Sequence, residues 1–351
     1  MNATMRAAVL HGKEDVRLED LAMPEPGPGE IVLRNEAALT CGTDVKVFRR
    51  GYHARMLTPP TVFGHEVAGV VSEVGTGVRD LAPGARVVVA NSAPCGSCRF
   101  CRGDRENLCD DLLFWNGAYA QYSRIPARIV AKNAITIAAG VSFQQAAMVE
   151  PLACVVRGVA DSGIGASHQV AVIGTGSIGL MFVALSCLKG ARVVSVGRNP
   201  TRLRKATELG AQGVLDAGDG DELGLRLREQ SPGGRGFDVV VEAAGQVETT
   251  EAAFEAVTKG GLVNLFAGSA RATYVSLDVS RAHYDGLRIV GSFHHSPAAI
   301  REAHRLVAEK LVDPHRFITS EASLEDLPSV LQGLARGGDG VKTAILPWGE
   351  R

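Results

Sequence analysis

The chain has 351 residues, too many for one ordinary hydrophobic core and enough for about two domains. Hydrophobic residues make up 46% and charged residues 21%, and the formal net charge is −1. This balance excludes a strongly basic nucleic-acid-binding protein and gives no reason for attraction to a membrane surface. The sequence has neither a signal-peptide pattern nor an apolar run long enough to span a membrane, so we expect a cytoplasmic protein.

Short apolar runs separated by Gly and Pro fill roughly the first 150 residues. They lie at 5–10, 30–39, 67–74 and 85–90. Short strands with turn signals at this spacing predict an all-β, partly closed fold for this part of the chain.

The pattern changes near Gln144, where the segment 144–159 is rich in helix formers and Pro151 predicts a break or kink. Apolar strands then alternate with helices. The predicted strands are 169–174, 192–197, 213–215, 237–242, 261–267 and 287–291, and the helices between the first five begin near Ser177, Thr201, Asp221 and Glu248. Helices at 297–309 and 324–335 and a closing strand at 343–346 follow. This βαβ rhythm predicts a parallel, doubly wound sheet.

A glycine motif directly follows the strand at 169–174. It reads Gly174-Thr-Gly176-Ser177-Ile178-Gly179, and an apolar helix comes next. In such motifs the first glycine permits a tight turn, the second lets a pyrophosphate approach the backbone, and the third lets helix and strand pack closely. Because the motif lies between a strand and a helix, it predicts a dinucleotide site more strongly than a plain structural turn.

The end of the second strand indicates which dinucleotide binds. An NAD site usually has Asp or Glu there, to bind the ribose 2′-hydroxyl. This chain has Gly197, followed by Arg198 and, in the next helix, Arg202. A 2′-phosphate would compensate for cations at a helix N-terminus, so NADP is favoured over NAD. The alternative is a solvated basic helix face.

Four of the seven cysteines are clustered with the spacing C-x2-C-x2-C-x7-C, at Cys95, Cys98, Cys101 and Cys109. Four thiolates in a short loop suit a tetrahedral, closed and therefore structural zinc site. The alternative is a set of reduced thiols or disulfides.

A second candidate metal group is more dispersed. Cys41 lies outside the cluster, His65 and Glu66 are adjacent, and Glu150 precedes Pro151 at the border between the two patterns. Three protein ligands with one open position are typical of a catalytic zinc. Taken singly, these residues are more often a core cysteine or a hydrogen-bonded histidine, and spacing alone does not show that they converge.

These motifs and their order resemble the zinc-dependent medium-chain dehydrogenases over nearly the whole chain. The resemblance is greatest to the polyol branch, which includes sorbitol, threonine and butanediol dehydrogenases, because Glu66 and Glu150-Pro-Leu152 are typical of that branch. It implies an α/β protein with a GroES-like, β-rich catalytic domain at 1–154, to which the tail 296–351 returns. It also implies a Rossmann domain, a doubly wound parallel sheet, at 155–295.

The resemblance further implies residue roles. Cys41, His65 and Glu66 would hold a catalytic zinc, and Glu150 would bind it directly or through water. Thr43 would pass on the substrate proton, and Asp44 would fix the tautomer of His65. The implied reaction is hydride transfer between a secondary alcohol of a polyol, sugar or cyclitol and NAD(P), with two Zn²⁺ per chain and a homo-dimer or homo-tetramer as the assembly.

Two departures from the family pattern bear on the substrate and the proton path. Lys46 stands where ethanol-type members have a relay histidine, and His294-His295 stands where sorbitol dehydrogenases have an Arg-Tyr pair. Side chains that we expect to line the pocket, with ordinary packing as the alternative for each, are Phe48, Tyr52, Phe114, Trp115, His294 and His295.

Two alternative functions remain open from the sequence, and a third is disfavoured. An NAD-linked amino-alcohol (threonine-type) dehydrogenase is the runner-up. A zinc-independent quinone or enoyl reductase on the same fold would lack the Cys41 set and the cysteine cluster, so the sequence argues against it. A non-catalytic dinucleotide-binding protein would turn over no alcohol.

Overall fold

The computed structural model describes residues 3–53, 55–218 and 222–349. The chain divides into two compact units. The first comprises Met1–Ala153 and His295–Arg351, and the second comprises Cys154–His294. No helix in the described part of the chain combines the length and apolarity needed to cross a membrane.

The N-terminal part of the first unit is rich in short strands. They are β1 (Thr4–Gly12), β2 (Asp15–Ala22), β3 (Ile31–Leu39), β4 (Thr61–Val62), β5 (Val67–Val74), β6 (Arg86–Val89), β7 (Ser92–Ala93), β8 (Leu113–Phe114), β9 (Tyr122–Ile125) and β10 (Ala134–Thr136). The helices among them are α1 (Gly42–Arg50), α2 (Arg99–Arg102), α3 (Ala127–Asn133) and α4 (Phe143–Ala147). The prediction that this region is all-β was therefore wrong, because it also contains these four helices.

Helix α5 (Val149–Asp161) crosses from the first unit into the second. The prediction of a break at Pro151 was wrong in its position: the helices are interrupted at Met148, between α4 and α5. Pro151 lies in the first turn of α5, where its missing N–H costs no helical hydrogen bond.

The second unit contains one six-stranded sheet. Its elements, in chain order, are β11 (Gln169–Ile173), α6 (Ser177–Leu188), β12 (Arg192–Gly197), α7 (Pro200–Glu208), β13 (Gly213–Asp216), α8 (Leu223–Glu229), β14 (Phe237–Glu242), α9 (Val247–Ala256), β15 (Val257–Leu265), α10 (Val279–Tyr284) and β16 (Arg288–Gly291). The strand order is β13-β12-β11-β14-β15-β16, and every pair is parallel. This confirms the predicted doubly wound sheet. The predicted helix start at Asp221 lies outside the described residues.

The C-terminal part of the chain completes the first unit with α11 (Pro297–Ala308), β17 (Ile318–Ser323), α12 (Leu327–Ala335) and β18 (Lys342–Leu346). A seven-stranded sheet has the order β10-β6-β5-β3-β18-β17, with β9 also paired to β3. Its buried core combines early and late residues such as Leu33, Val71 and Ile345. The last strand is therefore an integral part of the N-terminal sheet.

Candidate metal and cofactor sites

Cys41, His65 and Glu66, here called the inner metal group, lie where β3 ends and where β5 and β18 begin. Strand β3 pairs antiparallel with both β5 and β18, with Ala38 opposite Val67 and Ala344 opposite Leu39. The carboxyl end of β3 therefore meets the amino ends of the other two strands. This places Cys41, His65 and Glu66, together with Lys342, around one point.

Cys41, His65 and Glu66 do converge: one ligand atom from each lies within 4.8 Å of the others. His65 and Glu66 are buried, and Cys41 is partly buried. Cys41 is also the N-cap of α1, and its sulfur accepts a hydrogen bond from Thr43 N at 3.4 Å. A thiolate at a helix N-terminus is stabilised by the amide groups and the helix dipole.

Asp44 organises this group from behind. Its Oδ1 accepts the Nδ1–H of His65 at 3.0 Å, and its Oδ2 accepts the backbone N–H of Cys41 at 3.0 Å. With Nδ1 engaged, the other ring nitrogen of His65 is available as a metal ligand. Asp44 thus orients two members of the group at once.

Lys342, which is not among the predicted site residues, is the cationic partner of Glu66. Its Nζ donates to both carboxylate oxygens, at 2.7 and 2.5 Å, and to the carbonyl of Thr40 at 2.8 Å. Both side chains of the ion pair are fully buried. The one local signal is a lysine immediately before the predicted apolar strand 343–346.

Burial and neighbouring charges act in opposite directions on the donor groups. Burial disfavours the thiolate of Cys41, but the hydrogen bond with His65 and the charge of Lys342 outweigh it and lower the pKa of this thiol to about 7. Burial raises the pKa of Glu66, and the charge of Lys342 acts in the opposite direction and favours the carboxylate. A soft thiolate, an imidazole and a carboxylate form a donor set that zinc accepts, and their convergence fits a zinc ion.

Glu150 is buried in the first turn of α5 and does not belong to the group of Cys41, His65 and Glu66. Its Oε1 lies 3.6 Å from Nε2 of His295, which in turn lies 3.1 Å from Oδ1 of Asn91. Burial, followed by the charge of His65, lowers the pKa of His295 to about 3, so this imidazole is neutral. Burial raises the pKa of Glu150 to about 7.

The other pocket candidates lie in different environments. Phe48 and Trp115 are buried in the apolar core of the first unit, and the indole N–H of Trp115 donates to Arg124 O at 3.0 Å. Phe114 is half-buried, and Tyr52 is 58% exposed. His294, in the second unit, has a left-handed backbone (φ 63°).

The four-cysteine cluster has the spacing of a zinc site. The sulfur pairs Cys95–Cys101, Cys98–Cys101 and Cys98–Cys109 are separated by 3.9, 3.5 and 3.9 Å. Tetrahedral zinc with bonds of about 2.3 Å puts its sulfurs about 3.8 Å apart, whereas a disulfide would bring them to about 2 Å. Backbone N–H groups of Ser97 and Cys98 also donate to the Cys95 sulfur. The cluster therefore fits a structural zinc and excludes disulfides.

The glycine motif of the second unit lies at the carboxyl end of β11, between the two halves of the sheet order. Ligands of doubly wound sheets bind at this switch point. Gly176 is the N-cap of α6, and no atom lies within 4 Å of the position that a Cβ there would take. A Cβ on Gly179 would meet Gly174 O at 1.7 Å, so strand and helix approach closely. The site leaves room for a pyrophosphate beside the helix amides of Ser177 and Ile178.

At the end of β12, where an NAD site usually has Asp or Glu, the side chain of Thr175 occupies the space beside Gly197. A Cβ on Gly197 would lie 2.3 Å from Oγ1 of Thr175, so no side chain fits there. Arg198 is exposed beside it, and Asn199 caps α7 by accepting the N–H of Arg202 at 3.0 Å. An acidic side chain that could bind a ribose 2′-hydroxyl is thus excluded at residue 197, and the cationic side chain of Arg198 is adjacent.

Two family models match the chain. Residues 27–135 match the alcohol dehydrogenase GroES-like domain, and residues 177–309 match the zinc-binding dehydrogenase model. Sorbitol dehydrogenase from Homo sapiens is 31% identical over 93% of this chain and 92% of its own length. L-threonine 3-dehydrogenase from Bacillus velezensis is 29% identical over 94% and 95%.

Among solved structures, a zinc-binding dehydrogenase from Sinorhizobium meliloti 1021 bound to NADP is 34% identical, with a TM-score of 0.89. The match covers 99% of this chain and 100% of that one. The combination of fold, thiolate-rich metal groups and relatives defines an oxidoreductase of the zinc-binding dehydrogenase class. The chain belongs to the zinc-dependent medium-chain dehydrogenase family, in its polyol dehydrogenase branch.

Proposed function

We propose that this chain is a zinc- and NADP-dependent dehydrogenase of a secondary alcohol in a polyol, sugar or cyclitol. The observation that carries the proposal is the buried convergence of Cys41, His65 and Glu66 within 4.8 Å, in a chain related to sorbitol dehydrogenases over 93% of its length. In the forward direction a hydride would pass from the carbinol carbon to C4 of the nicotinamide, and the hydroxyl proton would leave through the protein.

The residues of the first unit have distinct tasks in this proposal. Cys41, His65 and Glu66 hold the catalytic zinc, and Glu150 binds it directly or through water. When bound, zinc supplies a Lewis acid that lowers the pKa of an alcohol oxygen. Thr43, at the N-terminus of α1, relays the substrate proton: its hydroxyl oxygen takes up that proton as its own hydroxyl proton passes outward. Asp44 keeps the Nδ1–H tautomer of His65.

The choice of NADP rests on the second unit. Gly197 excludes an acid by the close approach of Thr175, and Arg198 and Arg202 supply positive charge at the same strand end. Arg pairs with phosphate through two parallel hydrogen bonds, which suits a ribose 2′-phosphate. The relative from Sinorhizobium meliloti, solved with NADP, is in keeping with this choice.

The test is a panel of polyols, sugar alcohols, cyclitols and L-threonine, each assayed with NADP and NAD, alongside zinc quantification. We expect about two zincs per chain and turnover of a secondary alcohol, faster with NADP. Cys41→Ser should lose one zinc and all turnover while staying folded. Full turnover in this variant would contradict the zinc mechanism. Preferential oxidation of L-threonine with NAD would favour the amino-alcohol alternative, to which the threonine dehydrogenase relative points.

Assembly and location belong to the same proposal. Strand β16 forms one edge of the six-stranded sheet, and Ile289 in it is 41% exposed, so its outer side is open to pairing with a second copy. A homo-dimer or homo-tetramer is the assembly that we propose, and light scattering would measure it. The seven cysteines all lie in the described residues and none forms a disulfide, which suits a reducing cytoplasm.

A further inference from the structure

Tyr119 lies behind the inner metal group and is fully buried. Its hydroxyl oxygen is 2.6 Å from Oδ2 of Asp44 and 3.0 Å from the carbonyl oxygen of Leu39. A phenol has a single proton to donate. The carboxylate is the charged and nearer acceptor, so the proton is donated to Asp44.

Asp44 depends on such donors because its carboxylate is only 1% exposed. Apart from Tyr119, it accepts hydrogen bonds from the backbone N–H of Cys41 and from Nδ1–H of His65. A buried carboxylate is stable only when its oxygens are hydrogen-bonded or paired. The phenol is therefore one of three donors that hold in place the group that orients His65.

The ring of Tyr119 is fixed independently of its hydroxyl. It packs edge-on against Phe63, with ring centroids 5.6 Å apart. Gly64, which precedes His65, has φ +88°, and a Cβ there would lie 2.6 Å from Cδ2 of Tyr119. The aromatic ring thus lies directly against the backbone that leads into His65, and removal of the hydroxyl alone leaves this packing intact.

We propose that Tyr119 is a positioning residue of the inner metal site. Its hydroxyl, acting through Asp44, holds the imidazole of His65 in the orientation that binds zinc. The inference rests on the proposed zinc-binding role of the inner group. The hydroxyl of Tyr119 is hydrogen-bonded to Asp44 and not to a proposed zinc ligand in the described part of the chain. It affects the zinc affinity of the site through Asp44.

The test compares Tyr119→Phe with the matched control Tyr122→Phe. Tyr122 packs edge-on against Trp348. Its hydroxyl makes no hydrogen bond with any residue that the structure describes. Chelator competition on the purified full chain measures zinc affinity at the inner site, with the four-cysteine zinc as an internal reference. We expect roughly tenfold weaker inner zinc binding in Tyr119→Phe, since outer partners of metal ligands typically contribute 10–100-fold, and no change in the control.

A second comparison separates positioning from a purely structural role. If Tyr119 acts through Asp44, then Tyr119→Phe should weaken zinc binding by less than about twofold in an Asp44→Asn background. Cobalt(II) bound at the inner site of the single variant should show shifted ligand-field absorption. An equal loss in both backgrounds, or a lowered melting temperature with unchanged zinc affinity and cobalt spectrum, overturns the inference.

The wild-type chain separates this inference from the function on which it rests. Two zincs in the wild type with no effect of Tyr119→Phe overturn the positioning role alone. A single zinc, confined to the four-cysteine cluster, overturns the proposed function and the inference with it.

Discussion

Replacing Lys342 by methionine would remove the cation that contacts both oxygens of Glu66 while keeping a long apolar stem. Both side chains are fully buried. Removal of one partner from a buried ion pair typically costs about 3–5 kcal/mol, because the remaining charge is left without compensation. We expect the free energy of unfolding of the protein without inner zinc to fall by this amount.

A divalent cation beside Glu66 would supply part of the missing charge. The loss in the zinc-loaded Lys342→Met protein should therefore be less than half of the loss in the zinc-free protein. By linkage, the variant should bind inner zinc more tightly than the wild type, since zinc stabilises only the folded state that binds it. Urea unfolding with and without inner zinc, with the four-cysteine zinc retained, measures both quantities.

Two controls make the result decisive. Lys259→Met removes a lysine whose side chain is 80% exposed and 3.4 Å from Asp285, and it should change stability by less than about 0.5 kcal/mol. In a Glu66→Gln background, Lys342→Met should cost much less than in the wild type. An equal cost with and without zinc, or with and without the Glu66 charge, would refute the reasoning.

Two further predictions concern the other sites. Cys98→Ser should lower the melting temperature and remove one zinc while the inner zinc stays bound, and unchanged melting with full zinc content would contradict a structural zinc. Arg198→Ala should raise the KM for NADP about 10- to 100-fold more than the KM for NAD, the value of a lost charge-assisted hydrogen bond. Arg204→Ala is its control, because Arg204 donates to Thr201 within its own helix. Equal effects of Arg198→Ala on both cofactors would support the solvated helix face.

The parallel sheet was predictable because its central strands, such as β11 and β14, are largely buried and read as continuous apolar runs. The prediction of 237–242 coincides with β14, and the glycine motif lies where the topology reverses. Helix α1 was not predicted, since its N-cap is a cysteine, and only Asp44, Val47 and Phe48 are buried in a nine-residue, charge-rich segment. An apolar stripe that short leaves little helical periodicity to detect.

For the metal group, the sequence indicates the donors but not their surroundings. His65 and Glu66 are adjacent, so their pairing is visible locally. Lys342 lies 276 residues from Glu66, and Tyr119 lies 75 residues from Asp44. The Lys342–Glu66 contact depends on the sheet register that sets β18 beside β3 and β3 beside β5. The Tyr119–Asp44 contact depends on backbone hydrogen bonds that join Tyr119 to Ala8 and Phe63. No local pattern encodes such non-local pairing.

The charges of the inner group agree with a divalent occupant. With its donors deprotonated, the group contains three anions, namely the thiolate of Cys41 and the carboxylates of Asp44 and Glu66, and one cation, Lys342. Glu150 is not counted, because it lies outside the group of Cys41, His65 and Glu66 and burial raises its pKa to about 7. Two negative charges then remain in a buried site, where uncompensated charge is costly. A Zn²⁺ ion balances them, whereas a monovalent cation leaves one. In the proposed site, Lys342 therefore reduces the charge that a metal must neutralise to the value that zinc carries.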